Sequence, residues 1–196
     1  MGQRLNIEIF NNGQVLANAY YHWSAYSTTA VELVDKVLKA YKEDMQSDDE
    51  RQKAVWALQA TGAGLTEDEK KSIYAQNLKK LTECQGRDFG LIAVSDKGIS
   101  DTRCWEEYRV TIYLDEQRID FEVVWKNKNY EYDRKTKEYG ENRPLFEDLP
   151  IVEWNLGDIK IKDFELFKQF MEEMKNEKKL YFRTKQYPRI AYTMIS

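Results

Sequence analysis

The chain of 196 residues contains only one histidine, two cysteines and three prolines. A structural zinc site needs four cysteine or histidine ligands, and these residues neither reach that number nor include a C-x-x-C pair. Loops of the Asp-Gly type that bind calcium are absent as well. We therefore predict that the protein holds no metal and no cofactor. The alternative that the 34 acidic residues leave open is a magnesium site built from carboxylates alone.

The two cysteines, Cys84 and Cys104, are too few for a disulfide framework. We expect both to be small, buried, reduced residues, which is how free cysteine commonly behaves. The alternative is that Arg103, which precedes Cys104, favours a reactive thiolate there.

Long apolar runs are also missing. None approaches the ~18 residues of a membrane helix, and the first residues enter an alternating strand pattern instead of an apolar signal core. Acidic residues outnumber basic ones by 34 to 30, for a net charge of −4, and this balance argues against nucleic-acid binding. We expect a cytoplasmic protein that binds neither membranes nor nucleic acid.

Two β-hairpins are predicted from apolar residues that alternate with polar ones. The first covers residues 4–22, with the turn at Asn12-Gly13, because both residue types tolerate positive φ. The second covers YRVTIYLDEQRIDFEVVW, residues 108–125. Hairpins imply antiparallel pairing.

Four helices are predicted from apolar residues at helical spacing. Capping boxes open the first three, at Thr29, Ser47 and Thr66, and the third is predicted to end near Gly86. The fourth contains Leu166 to Met174. The remaining predictions are a strand in FGLIAVS (89–95), a turn at 96–98, a polar loop at 126–148, a strand in PIVEW (150–154) and a strand pair at 179–195.

The predicted order is therefore ββ-ααα-ββββ-α-ββ. Clustered helices and tightly connected strands are typical of an α+β fold, with an antiparallel sheet covered on one face. We predict a single α+β domain over 1–196, with a helical insert at about 46–86.

Motifs of catalysis and phosphate binding are scarce. Nucleophilic catalysis would have to use His22 as its base, and no G-x-S-x-G elbow is present. The stretch TGAGLTEDE (61–69) places two glycines before a helix, where backbone amides could hold a phosphate. It follows a helix and not a strand, so we interpret Gly62 as the end of one helix and Thr66 as the start of the next.

The segment ANAYYHWSAYSTTA (17–30) concentrates Tyr20, Tyr21, His22, Trp23 and Tyr26. Alternation along the strand predicts that Tyr21 is buried with the odd-numbered apolar positions, against the helix that contains Leu33, Val34 and Val37. Tyr20 and His22 would then border a partly open concave surface on the other sheet face. The alternative is that a helix or the 126–148 loop covers them as ordinary core.

The N-terminal stretch MGQRLNIEI…NGQVLANAYYHWSAYSTTAVEL, about the first 35 residues, resembles the N-termini of small uncharacterised proteins carried by bacteriophages and prophages of Gram-positive bacteria. The resemblance transfers no catalytic residue. It implies a context, since accessory phage proteins of this kind often inhibit host defence by binding a host protein or by sequestering a nucleotide signal.

Three functional hypotheses follow. The first is a non-enzymatic, phage-encoded inhibitor that binds a host bacterial protein in the cytoplasm. The second is a nucleotide or small-ligand binder, with or without hydrolysis, in which Tyr20, His22 and Trp23 stack a base and Arg103 or Arg109 holds a phosphate. Tyr26 is a further candidate for contact with the ligand or partner. The third is an enzyme with His22 as general base. A homodimer through an exposed strand edge stays open.

Overall fold

The computed structural model describes residues 4–22, 24–25, 27–42, 47–78, 90–104, 106–124 and 159–176. The elements in chain order are β1 (Leu5–Asn11), β2 (Gln14–Tyr21), α1 (Ser27–Lys42), α2 (Glu50–Gln59), β3 (Gly64–Leu65), α3 (Glu67–Lys70), α4 (Ile73–Gln76), β4 (Leu91–Ala93), α5 (Asp96–Arg103), β5 (Tyr108–Tyr113), β6 (Arg118–Val123), β7 (Ile159–Ile161) and α6 (Phe164–Asn176). This part of the chain confirms the α+β class.

The described strands form one sheet in the order β3-β4-β2-β1-β5-β6-β7. Both predicted hairpins are confirmed as antiparallel pairs, β1 with β2 and β5 with β6. Asn12 and Gly13 have φ values of 49° and 80° in the first turn, as the Asn-Gly pair predicts. A bulge between Ile9 and Phe10 interrupts the register on the turn side.

The prediction of a purely antiparallel sheet is wrong. The strand β1 pairs in parallel with β5, and β3 pairs in parallel with β4. For β5 the physical reason is α5: residues 96–98, predicted as a turn, are the first turn of a helix whose N-cap is Ser95. A helix carries the chain across the sheet, so β5 can follow the direction of β4, whereas a tight turn would reverse it.

Several helix boundaries also differ from the prediction. The helix α1 begins at Ser27, two residues before the predicted cap at Thr29. The N-cap of α2 is Asp49 instead of Ser47, since its carboxylate accepts the N–H groups of Arg51 and Gln52 at 3.0 and 3.2 Å. Each of these short polar runs contains three residues of the types that cap helices, so spacing alone does not choose among them.

The predicted third helix is divided into α3 and α4 because Ser72 caps a new helix by accepting the Ala75 N–H at 3.1 Å. The interpretation of the 61–69 stretch is confirmed in part. Thr66 accepts the Glu69 N–H at 3.0 Å as the N-cap of α3, whereas the C-cap of α2 is Ala60, and Gly62, with a φ of 94°, lies two residues beyond it. Gly64 lies in β3, a strand that the sequence pattern did not predict.

Helices α1, α2 and α6 share one apolar core with the sheet. We name the sheet face on this core the first face and the opposite one the second face. The first face carries side chains with no exposed surface: Leu5, Ile7, Ile9, Ala17, Ala19, Tyr21, Val110 and Ile112. The second face carries Asn6, Glu8, Asn18 and Tyr20, and α5 packs on it through hydrogen bonds to the first three.

The segment predicted as a helical insert contributes β3 to the sheet. It also contributes Ala54, Val55, Ala57 and Leu58 to the common core. Outside the described residues lie the predicted end of the third helix near Gly86, the 126–148 loop, the strand in PIVEW, the strand pair at 179–195 and Cys84. The fourth predicted helix is confirmed as α6.

Candidate functional site

The side chains at the end of β2 follow the predicted alternation. Tyr21 is fully buried, Tyr20 is half-buried and His22 is exposed. Thr61 Oγ1 donates to the Leu58 carbonyl at 2.6 Å, so the Tyr21 hydroxyl, 2.8 Å from the same oxygen, is the donor in that contact. Leu33, Val34 and Val37 belong to the same buried cluster as Tyr21.

Tyr20 and His22 line a cavity of about 840 Å³, which we name the second-face cavity. Leu91 and Ala93 of β4 also line it. They pair with Tyr20 and Asn18 of β2, and paired residues of neighbouring strands share a face. The floor of the cavity is therefore the second face of β4 and of the end of β2.

Two walls rise from this floor, each built on a helix that begins where a strand ends. One wall follows β3 and contributes Thr66, Asp68, Glu69 and Ser72; the other follows β4 and contributes Ser95, Lys97, Gly98, Asp101 and Thr102. Because β3 and β4 are parallel neighbours, their carboxyl ends lie at one edge of the sheet. Ligands of open α/β sheets commonly bind outside such strand ends.

The rim is formed by Tyr20, His22 and Arg4. The Tyr20 hydroxyl is 3.1 Å from His22 Nδ1, and the two ring centroids are 6.3 Å apart at 59°. Partial burial raises the pKa of Tyr20, and the positive charge of Arg4 opposes this effect. Arg4 also lies 3.5 Å from Glu107.

The two arginines that the sequence assigned to a phosphate do not line the second-face cavity. Arg103 binds Glu8 through both carboxylate oxygens, at 2.6 and 2.9 Å, and this hydrogen bonding raises the pKa of its guanidinium. Arg109 binds both oxygens of Glu106. The basic groups at the cavity are instead Arg4 and Lys97.

Arg103 and Glu8 belong to a buried polar cluster beneath α5. Asn18 donates to Glu8 at 3.2 Å and accepts from Thr102 Oγ1 at 2.8 Å. Asn6 donates to the Thr102 carbonyl and to Glu106, at 3.2 and 2.6 Å. These hydrogen bonds fix the carboxyl end of α5 to β1 and β2.

Trp23 and Tyr26 lie outside the described residues.

The prediction that Cys104 is buried is wrong: it is exposed at the end of α5, and its thiol donates to the Ser100 carbonyl at 3.3 Å. An exposed position follows from the helix, which turns Ile99 towards the protein and Cys104 away. Among the described residues, no group of three or more His, Cys, Asp or Glu side chains is placed to hold a metal ion.

The sequence pattern did not indicate Arg4, Lys97 or the wall that follows β4 as parts of a site. A partial signal for the wall that follows β4 is present in the sequence: Ser95, three residues before Gly98, is of a type that caps helices. The prediction of a turn at 96–98 hid this signal. Glu69 was assigned to the capping box of Thr66, which would direct its carboxylate to the Thr66 N–H. It accepts instead from Val94 and Ser95, in the other wall.

No protein-family model, curated protein or solved structure matches this chain. In the part of the chain that the structure describes, no helix is both long and apolar enough to cross a membrane. The geometry of the second-face cavity is therefore the basis on which a function can be assigned.

Proposed function

We propose that the protein binds a small ligand of the nucleotide class in the second-face cavity. The cavity itself carries the proposal, since its volume of about 840 Å³ falls within the ~300–1,000 Å³ of small-molecule sites. Its floor is apolar at Leu91 and Ala93, and its polar groups stand on the walls and the rim. This combination of an apolar surface with a few polar groups is typical of ligand pockets.

The lining complements three chemical parts of a nucleotide. Tyr20 and His22 offer rings on which a base can stack. Arg4 and Lys97 offer cationic donors to a phosphate. Asp101 offers a carboxylate to ribose hydroxyls or to an exocyclic amino group.

Lys97 and Asp101 are well placed for such a role. They lie one helical turn apart on α5, and neither forms an ion pair with a described residue. Their charges are therefore not neutralised within the described part of the protein, in contrast to Arg103 and Arg109. A ligand that carries both an anionic group and hydrogen-bond donors can engage both side chains.

A thermal-shift screen over nucleoside mono-, di- and triphosphates and cyclic nucleotides tests the proposal. A ligand at 100 times its Kd stabilises the folded state by about 2.7 kcal/mol, or about 5–10 °C in a protein of this size. Inorganic phosphate is the control, because it lacks the base. The proposal fails if no nucleotide at millimolar concentration raises the midpoint more than phosphate does.

A second proposal, supported by the resemblance to phage proteins, is that the protein inhibits a bacterial defence component. One observation favours a protein partner. Ile73 on α4 is 75% exposed, and it is the only large hydrophobic side chain that is exposed among the described residues. A protein-binding surface would be expected to centre on such an anchor. Pull-down from a bacterial lysate with wild type and Ile73→Ser distinguishes the two, since the substitution should abolish capture of a dominant partner and leave nucleotide binding intact.

A further inference from the structure

The carboxylate of Glu69 crosses from one wall of the second-face cavity to the other. Its Oε1 accepts the N–H groups of Val94 and Ser95 at 2.8 and 2.7 Å. Its Oε2 accepts the Ser95 hydroxyl at 3.0 Å. The residue is 7% exposed, so these three donors replace most of the water that a carboxylate would bind on the surface.

The turn between β4 and α5 is shaped around this carboxylate. Ser95 Oγ donates to Glu69 and accepts the Gly98 N–H at 3.0 Å, so the helix cap and the carboxylate share one hydroxyl. A Cβ atom at Gly98 would overlap Glu69 Oε2. Glycine at this position therefore leaves the space that the carboxylate occupies.

The same residue is held in the opposite wall through its backbone and its side chain. The Glu69 N–H donates to Thr66 Oγ1 at 3.0 Å, and the Ser72 hydroxyl lies 3.4 Å from Glu69 Oε1. Thr66 and Ser72 both line the cavity, as do Ser95 and Gly98 on the other side. One carboxylate thus joins two segments that are more than 20 residues apart in sequence.

The geometry points to Glu69 as a positioning residue that acts as a latch: its carboxylate sets the separation of the two cavity walls. The effect of this latch on ligand binding rests on the proposed function, because the separation of the walls affects binding only if the cavity holds a ligand. The latch itself is independent of any ligand. Removal of the carboxylate separates the walls and exposes the apolar floor at Leu91 and Ala93.

Chemical rescue tests the latch without a ligand. Glu69→Ala should lower the thermal midpoint and increase the fluorescence of the dye 8-anilinonaphthalene-1-sulfonate, which binds exposed apolar surface. Sodium formate should reverse both changes, because formate can occupy the site of the lost carboxylate, whereas sodium chloride at the same concentration should not. Glu69→Gln should remain close to wild type, since its amide oxygen can still accept from Val94 and Ser95.

Asp49→Ala is the matched control for this experiment. It removes a helix cap of α2 away from the cavity, so it should lower the midpoint with neither a formate-specific recovery nor the same dye response. Equal effects of formate and chloride on Glu69→Ala, or equal dye responses of Glu69→Ala and Asp49→Ala, would overturn the latch.

A double-mutant cycle with Gly98→Ala gives an independent result. In the wild-type background the new Cβ displaces the Glu69 carboxylate, so the midpoint should fall by several degrees. In the Glu69→Ala background the same change should cost less, because Glu69 Oε2, the atom nearest to the new Cβ, is gone and only the contact with Ser95 Oγ at 2.9 Å remains. Alanine also favours the helix. Equal losses in the two backgrounds would contradict the latch.

A nucleotide titration separates the latch from the proposed function. With a nucleotide that binds wild type, Glu69→Ala should weaken binding at least tenfold, and Glu69→Gln should retain it. If no nucleotide binds wild type, the proposed function fails while the formate and Gly98 results still decide whether the latch exists.

Discussion

Tyr20 and Tyr21 are consecutive residues of β2, yet they lie in opposite environments. Tyr21 has no exposed surface, and its hydroxyl reaches Thr61 on the helix side of the sheet. Tyr20 projects from the second face to the cavity. This division was predictable from the sequence, because a strand has a strict period of two and the odd positions of β2 are apolar.

The burial of the two tyrosines predicts different losses of stability. Tyr21→Ala should lower the free energy of unfolding by roughly 3–5 kcal/mol, as truncation of a core aromatic does. Tyr20→Ala should cost well under that. Chemical denaturation of both variants measures the difference, and a larger loss for Tyr20→Ala would show that the assignment of the two faces is inverted.

The buried hydroxyl of Tyr21 also predicts a response to alkaline pH. Desolvation raises its pKa in the folded state above the unfolded-state value of about 10. Its contribution to stability is therefore complete below about pH 10 and is lost as the pH rises towards the folded-state pKa. Urea denaturation between about pH 9 and pH 11 should show stability falling more steeply for wild type than for Tyr21→Phe. Parallel curves would mean that Tyr21 does not ionise on unfolding.

At the scale of elements, α5 is the helix that creates the second-face cavity, and it is fixed at both ends by a carboxylate. Glu69 accepts hydrogen bonds at its beginning, and Glu8 binds Arg103 at its end. The sequence did not predict α5, because Ile99 is its one buried residue and the pattern DKG is equally typical of a turn. Hairpins, in contrast, were predictable because their signals are local.

The Glu8–Arg103 pair predicts non-additive losses of stability. Arg103→Ala leaves Glu8 buried with fewer partners, so we expect a loss of about 1–3 kcal/mol, reduced from the cost at a fully buried pair because the Arg103 side chain is 38% exposed. The double variant with Glu8→Gln should lose less than the sum of the single variants. Lys39→Ala breaks an exposed pair with Asp35 and should cost at most about 1 kcal/mol. Strictly additive losses in urea denaturation would argue against a buried ion pair.

At the scale of the whole molecule, the cavity joins four segments that are distant in the sequence: residue 4, residues 20–22, residues 66–72 and residues 91–102. The sequence indicated Tyr20 and His22, since their positions depend on one strand. Lys97 and Glu69 could not be found in the same way, because their convergence depends on the parallel pairing of β3 with β4 and on the crossover by α5. Arg4 could have been found, since it precedes Leu5, which pairs with Tyr21 in the predicted hairpin. Arg103 and Arg109 had the right chemistry, but they are engaged by Glu8 and Glu106.

The most direct test of the central claim is isothermal titration of the strongest nucleotide from the screen into three proteins: wild type, Tyr20→Ala and Tyr113→Ala. Tyr113 is a matched control because it is also a half-buried tyrosine on a strand and does not line the cavity. Since base stacking on an aromatic side chain contributes about 1–3 kcal/mol, Tyr20→Ala should weaken binding by about 5- to 150-fold while Tyr113→Ala binds as wild type. Equal affinities of all three proteins would contradict a nucleotide site at the second-face cavity.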